Sequence, residues 1–168
     1  MKTPIFEGIA TALITPITPD GIDYDAFGRL IDWQIEEGVN ALVICGTTGE
    51  SSTLSDEEHR AAIEYAVKRA NHRVPIIAGT GSNDTAYALD LTDFSCKAGV
   101  DGVLVVTPYY NKATQNGLIK MFSEIADKAT APVILYNVPS RTGVNIQPAT
   151  VKALSEHPNI SGIKEASG

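Results

Sequence analysis

Lys164 stands in the run Asn159-Ile160-Ser161-Gly162-Ile163-Lys164-Glu165-Ala166, which otherwise has the character of a buried strand. An ammonium group in such a strand is costly unless it is paired or neutralised. A partly buried lysine has a lowered pKa, and its neutral amine can attack a carbonyl to form a Schiff base. The bland reading is a solvated lysine on a frayed end. Other chemically capable residues follow apolar runs in the same way. They are Thr15-Pro16, Gly46-Thr47-Thr48-Gly49-Glu50-Ser51, Gly79-Thr80-Gly81, Thr107-Pro108-Tyr109-Tyr110 and Tyr136-Asn137-Val138-Pro139-Ser140-Arg141. Thr47 and Thr48, between glycines, offer hydroxyls and backbone N–H groups to a small carboxylate, or form a plain turn. Tyr109, Tyr110 and Tyr136 are either packed aromatics or phenols able to pass protons to a nearby amine. Arg141 is either a surface charge or a bidentate carboxylate anchor. Glu165, adjacent to Lys164, should point to the opposite face of the strand and is not counted as its partner.

Several chemistries are disfavoured. Gly79-Thr80-Gly81 lacks the third glycine of a dinucleotide fingerprint, and the 46–50 turn lacks the lysine of a phosphate loop. His59, His72 and His157 are scattered, with no metal-ligand spacing. Cys45 lies in an apolar strand and reads as a packed thiol, and Cys45 and Cys96 show no paired spacing. A net charge of −7 and a pI near 4.9 argue against a nucleic-acid partner. No apolar run suggests a membrane span, and the start, Met1 to Glu7, has no apolar leader core. A reduced, cytoplasmic protein is the simplest expectation.

The elements that must position these residues are short β-branched runs at 10–15, 41–46, 75–79, 102–107, 132–137 and 160–164. They recur roughly every 30 residues, the size of one strand-plus-helix unit. They barely alternate with polar residues, as strands covered on both faces should. Between them lie helix signals. Ser55-Asp56-Glu57-Glu58 is a capping box, Asn83 and Asp84 can open the third helix, and Pro148 suits the first turn of the fifth, which Pro158 ends. Asp20-Gly21 is a turn. The segments at 37–44 and 98–105 echo each other, each with a glycine suited to a left-handed helix cap before a strand.

The pattern predicts one α/β domain over 1–168. Its spacing favours a βα barrel over an open doubly wound sheet, and either would gather the strand ends into a small-molecule site. About six strands and five helices are present, whereas an eight-stranded barrel typically needs about 250 residues. The expectation is therefore the first five and a half βα units of a barrel.

Four motifs taken together, G-T-T-G-E at 46–50, T-P-Y-Y at 107–110, Y-N-V-P-S-R-T-G at 136–143 and G-I-K-E-A at 162–166, resemble the dihydrodipicolinate synthase family of pyruvate-dependent class I aldolases. The resemblance runs along the whole chain in order. It implies a (β/α)8 TIM barrel, usually assembled as a homotetramer of dimers, that condenses pyruvate with L-aspartate-4-semialdehyde on the diaminopimelate route to lysine. By matching position it implies Lys164 as the Schiff-base nucleophile and Tyr136 as proton donor and acceptor. Thr47 and Tyr110 would complete a proton relay, Tyr110 reaching the neighbouring subunit's site. Thr48 would hold the pyruvate carboxylate, and Arg141 that of the semialdehyde. No metal or organic cofactor is implied. N-acetylneuraminate lyases and 2-keto-3-deoxy sugar-acid aldolases share much of this set, but Arg141 favours the synthase. Ser51, His59, Asn83 and Tyr109 match an inhibitory lysine site of the family, with Asp56 and Tyr87 replacing a common histidine and a common acidic residue. The family's last third has no match, so the chain reads as cut just after its nucleophile. A catalytically inert partial barrel, its sixth strand an exposed pairing edge, is the competing expectation.

Overall fold

The computed structural model describes residues 3–168; Met1 and Lys2, part of the segment read above for a leader core, lie outside the described residues. The central feature is a parallel sheet of six strands: β1 (Ala10–Ala12), β4 (Ala41–Ile44), β5 (Ile76–Gly79), β6 (Gly102–Val106), β7 (Val133–Asn137) and β8 (Ile160–Glu165). They lie side by side in chain order. An open doubly wound sheet reverses its strand order at a switch point. No reversal occurs here, so the topology is that of a partial (β/α)8 barrel.

The expected strands are all present; the first five are shorter than their runs, and the sixth extends one residue further, through Glu165. The run at 10–15 pairs only over β1, and the run at 41–46 ends at Ile44, because Cys45 turns the chain with φ of 54°. The turn at Asp20-Gly21 closes a small antiparallel hairpin of β2 (Ile17–Thr18) and β3 (Gly21–Ile22), which the sequence pattern did not distinguish from loop.

Helices α1 (Tyr24–Glu36), α2 (Asp56–Ala70), α3 (Thr85–Ala98) and α4 (Gln115–Lys128) alternate with the strands, followed by the short α5 (Pro139–Thr142) and by α6 (Pro148–Ser155). Their starts are locally encoded. At α2 the Glu58 N–H donates to Ser55 Oγ at 3.2 Å, while the Ser55 N–H donates to Glu58 Oε2 at 2.9 Å. Asp84 accepts from the Ala86 N–H at 2.9 Å at the start of α3. Pro148 occupies the first turn of α6, the sixth helix rather than the fifth, because the tetrapeptide α5 intervenes. Gly38 and Gly99, the echoed cap glycines, have φ of 85° and 94°. Among the described residues no helix is long and apolar enough to cross a membrane.

The sheet has two unlike faces. On the helix side Leu42, Ile44, Ile76, Val103, Val105, Val133 and Leu135 join Ile63, Leu91, Phe122 and Ile125 in one large core. The inner face carries a smaller cluster of Ala41, Val43, Ile77, Leu104, Tyr136 and Val138, with Ala10, Ala12 and Ile134 beside it. That face borders an open apolar cavity of about 440 Å³ that reaches from Ile5 and Phe6 to Lys164.

Candidate active site

The loop after β4 turns sharply. Cys45 takes the left-handed conformation, the Gly49 N–H donates to Gly46 O at 3.0 Å, and Thr15 Oγ1 donates to Gly49 O at 2.8 Å. This presents Thr47 and Thr48 at an exposed corner. The backbone of β5 runs tight beneath it. A Cβ at Gly79 would lie 2.2 Å from Cys45 O, and one at Gly81 would lie 2.4 Å from Val106 N. Nothing in the sequence pattern assigns these two glycines a part in the site. Their role is to let the strand ends approach one another, and both line a small cleft with Thr47 and Tyr136.

Tyr136, 6% exposed, is the penultimate residue of β7, on the inner face. Lys164 is its direct cross-strand partner on β8, and the Lys164 Nζ lies over the Tyr136 ring, 4.4 Å from its centroid. An ammonium over an aromatic face is attracted by the ring's quadrupole. The expectation of a partly buried lysine needs correction: Lys164 is exposed. The cause is that β8 is the sheet's edge among the described residues, so only β7 flanks it. The side chain is not frayed either, since its strand is paired through Glu165.

Arg141 sits on α5, just past β7, and is exposed. With Thr47, Ser51, Tyr109 and Val138 it lines a cavity of about 260 Å³ at the carboxyl ends of the strands. Tyr136 thus shares the small cleft with Thr47 and stands beside Lys164, and Thr47 and Arg141 share a second opening. Two expected site residues stand apart from these openings. Thr48 borders neither cavity, and Tyr110 projects from the chain, 92% exposed, at φ of 71°. The cleft is unlike a thiol or imidazole site. Burial pushes the Cys45 thiol up to about 12. His59 is buried on α2, its Nε2 2.9 Å from Gly79 O, and burial holds its imidazole below the usual range.

Glu165 faces away from Lys164, as alternation requires. Its two carboxylate oxygens accept from Asn137 Nδ2 at 3.0 and 2.9 Å, and the Ser167 N–H donates to Oε1 at 2.8 Å. Those bonds hold its carboxyl below the ordinary range. Of the two substituted positions in the matched lysine site, Tyr87 donates its hydroxyl to Asp56 Oδ1 at 2.9 Å, and Asp56 also pairs with Arg60 at 2.8 Å. Burial and that carboxylate raise the Tyr87 phenol to about 12.

The chain is similar to proteins of known activity. It is 56% identical over 165 residues to the 4-hydroxy-tetrahydrodipicolinate synthase of Acetivibrio thermocellus, covering 98% of this chain and 56% of that protein. The chain therefore spans little more than half the length of the curated relatives it matches. Among solved structures, the chloride-inhibited dihydrodipicolinate synthase of Acinetobacter baumannii, complexed with pyruvate, superposes with a TM-score of 0.93 at 49% identity, over 95% of this chain and 55% of that one. YagE of E. coli K12, a prophage protein of the same family, also in complex with pyruvate, gives a TM-score of 0.92 at 39% identity, over 94% of this chain and 54% of that one. The dihydrodipicolinate synthetase family model matches residues 5–168. Sheet order, superposition and motif order agree, and the chain belongs to the dihydrodipicolinate synthetase family.

Proposed function

We propose that the protein carrying this chain condenses pyruvate with L-aspartate-4-semialdehyde through an imine on Lys164, giving 4-hydroxy-tetrahydrodipicolinate. The observation that carries the reading is the Lys164–Tyr136 pair: an amine on the inner face, 4.4 Å from the ring of a phenol-bearing side chain, at the carboxyl ends of two adjacent parallel strands. The Lys164 amine attacks the pyruvate C2 carbonyl and water leaves, forming the imine. Its protonated nitrogen withdraws electrons, so the methyl carbon loses a proton and becomes an enamine that attacks the aldehyde carbon; the semialdehyde's own amine then attacks the imine carbon and displaces the Lys164 amine, closing the ring and freeing the enzyme. Tyr136 donates and accepts the protons at the imine, and Thr47, with which it shares the cleft, passes them on. Thr48 holds the pyruvate carboxylate, and Arg141, at the opening shared with Thr47, receives that of the semialdehyde.

Tyr110 belongs to the same proposal as the residue that completes the relay in a neighbouring subunit. Its exposure of 92% leaves it outside its own chain's cleft and supports that assignment. A homo-oligomer in the cytoplasm is the corresponding assembly and place. The two relatives solved with pyruvate support the first substrate.

Borohydride reduction in the presence of pyruvate tests the reading. One pyruvate-derived mass on Lys164 is the expected result, and a folded protein without an adduct contradicts it. Arg141→Ala separates the two substrates: it should weaken use of the semialdehyde while imine formation with pyruvate stays largely intact. Equal loss of both steps contradicts the role given to Arg141.

A further inference from the structure

Strand β8 does not alternate regularly. Val133 pairs with Ile160, but the next residue, Ile134, pairs with Gly162, so Ser161 is an extra residue in the ladder. Its Oγ donates to Val133 O at 3.4 Å. The bulge changes which way everything after it points. Ile160 and Ile163 both pack against the helix-side core, although three residues apart on a strand should place them on opposite faces. Carried on without the bulge, the register that begins at Val133–Ile160 would pair Asn137 with Lys164. Lys164 would then stand on the helix side and Ile163 on the inner face. With the bulge, Leu135 faces Ile163, Tyr136 faces Lys164, and Asn137 faces Glu165.

Both ends of this irregular stretch are tied down. Before it, Asn159 Nδ2 donates to the carbonyls of Ala126, Ala129 and Ala131 at 3.1, 2.8 and 3.2 Å, fixing the entry to β8. After it, Asn137, 1% exposed, is fully engaged. Its Nδ2 donates to the Glu165 carboxylate and to Asn145 Oδ1 at 2.7 Å, and its Oδ1 accepts from the Ile146 N–H at 3.0 Å. The Ala166 N–H adds a bond to Asn137 O at 2.9 Å. Bulges re-aim side chains and recur next to active sites.

We infer that the Ser161 bulge sets the face on which Lys164 stands, and that Asn137 and Glu165 are positioning residues that lock that register. The inference rests on Lys164 being the imine-forming nucleophile. Neither positioning residue touches substrate; they act from the opposite face of the sheet through the backbone of β7 and β8.

The test measures the rate of borohydride-trapped pyruvate adduct in the native protein, in Glu165→Ala, in Glu165→Gln, and in Glu165→Ala with Ser161 deleted. Circular dichroism checks that each keeps its helices. Glu165→Ala should trap about 10²-fold more slowly, the scale on which an ångström of misplacement costs rate. Glu165→Gln, which still accepts from Asn137, should trap nearly as fast as the native protein. Deleting Ser161 leaves a regular ladder that already pairs Tyr136 with Lys164, so it should restore trapping in the Glu165→Ala background. A native rate in Glu165→Ala, or no restoration by the deletion, overturns the register lock. If the native protein forms no adduct, the nucleophile assignment fails by itself, and backbone hydrogen exchange along residues 160–168 decides the lock. Faster exchange in Glu165→Ala than in Glu165→Gln supports it, and equal exchange overturns it.

Discussion

The helix side and the inner face of the sheet are built from the same strands and differ in almost every other respect. The helix side is filled by Leu, Ile, Val and Phe side chains from both layers, many with no exposed surface. The inner face alternates small residues such as Ala10, Ala12 and Ala41 with a few larger ones, and at its carboxyl end it sets Tyr136 beside Lys164. One face therefore carries stability and the other leaves room for chemistry, and substitutions on the two faces should fail in different ways.

The largest separation should come from Lys164→Ala. It abolishes the pyruvate adduct, yet as an exposed side chain it changes unfolding free energy by no more than about 0.5 kcal/mol. Loss of the adduct is read by mass, and stability by denaturant titration. Phe122→Ala is the converse. It empties a fully buried site on α4 and should cost about 3–5 kcal/mol, while any protein that remains folded still traps pyruvate. A Phe122→Ala protein as stable as the native one would mean that the helix-side core is not what holds the sheet.

Gly79→Ala lies between the two faces. Its Cβ would meet Cys45 O, a backbone atom that cannot swing aside, so the strand ends must move apart at a cost of about 1–3 kcal/mol. Thr47 moves with that loop, so adduct formation should slow together with the loss of stability. Loss of stability alone would detach the 46–50 turn from the site.

The smallest effect concerns pH. The buried His59 has its pKa lowered by desolvation, opposed by the bond at Gly79 and the nearby Asp56. Its folded pKa is thus below its unfolded value of about 6.5. The unfolded chain binds the extra proton first, so the stability His59 contributes is present above that value and is lost as pH falls through it toward the folded pKa. The thermal midpoint should drop between neutral and mildly acidic pH, and drop less in His59→Gln. Identical pH profiles would show that another group controls this limb.

What the sequence revealed and what it hid follow a physical division. The order of the six sheet strands, the Ser55–Glu58 capping box and the cap glycines Gly38 and Gly99 are local signals, and each is where the sequence places it, while the β2–β3 hairpin and the tetrapeptide α5 are not. The motifs that carry the family resemblance were equally readable. The departures depend on contacts across the sheet. The turn at Cys45 requires a glycine at position 79, far off in the chain. The bulge at Ser161 is fixed by Ile163 finding the helix-side core and by Asn137 finding Glu165. Its only local trace is a glycine inside an apolar run, with two isoleucines spaced three apart. The exposure of Lys164 was hidden for a similar reason: whether a strand is covered depends on its neighbours in the sheet, not on its own composition.

A crystal structure of the protein equilibrated with pyruvate tests the central claim most directly. Continuous density is expected from Lys164 Nζ to the former carbonyl carbon of pyruvate, on the inner face and beside the Tyr136 hydroxyl. Pyruvate bound elsewhere, or Lys164 unmodified with its side chain on the helix side of β8, would contradict it.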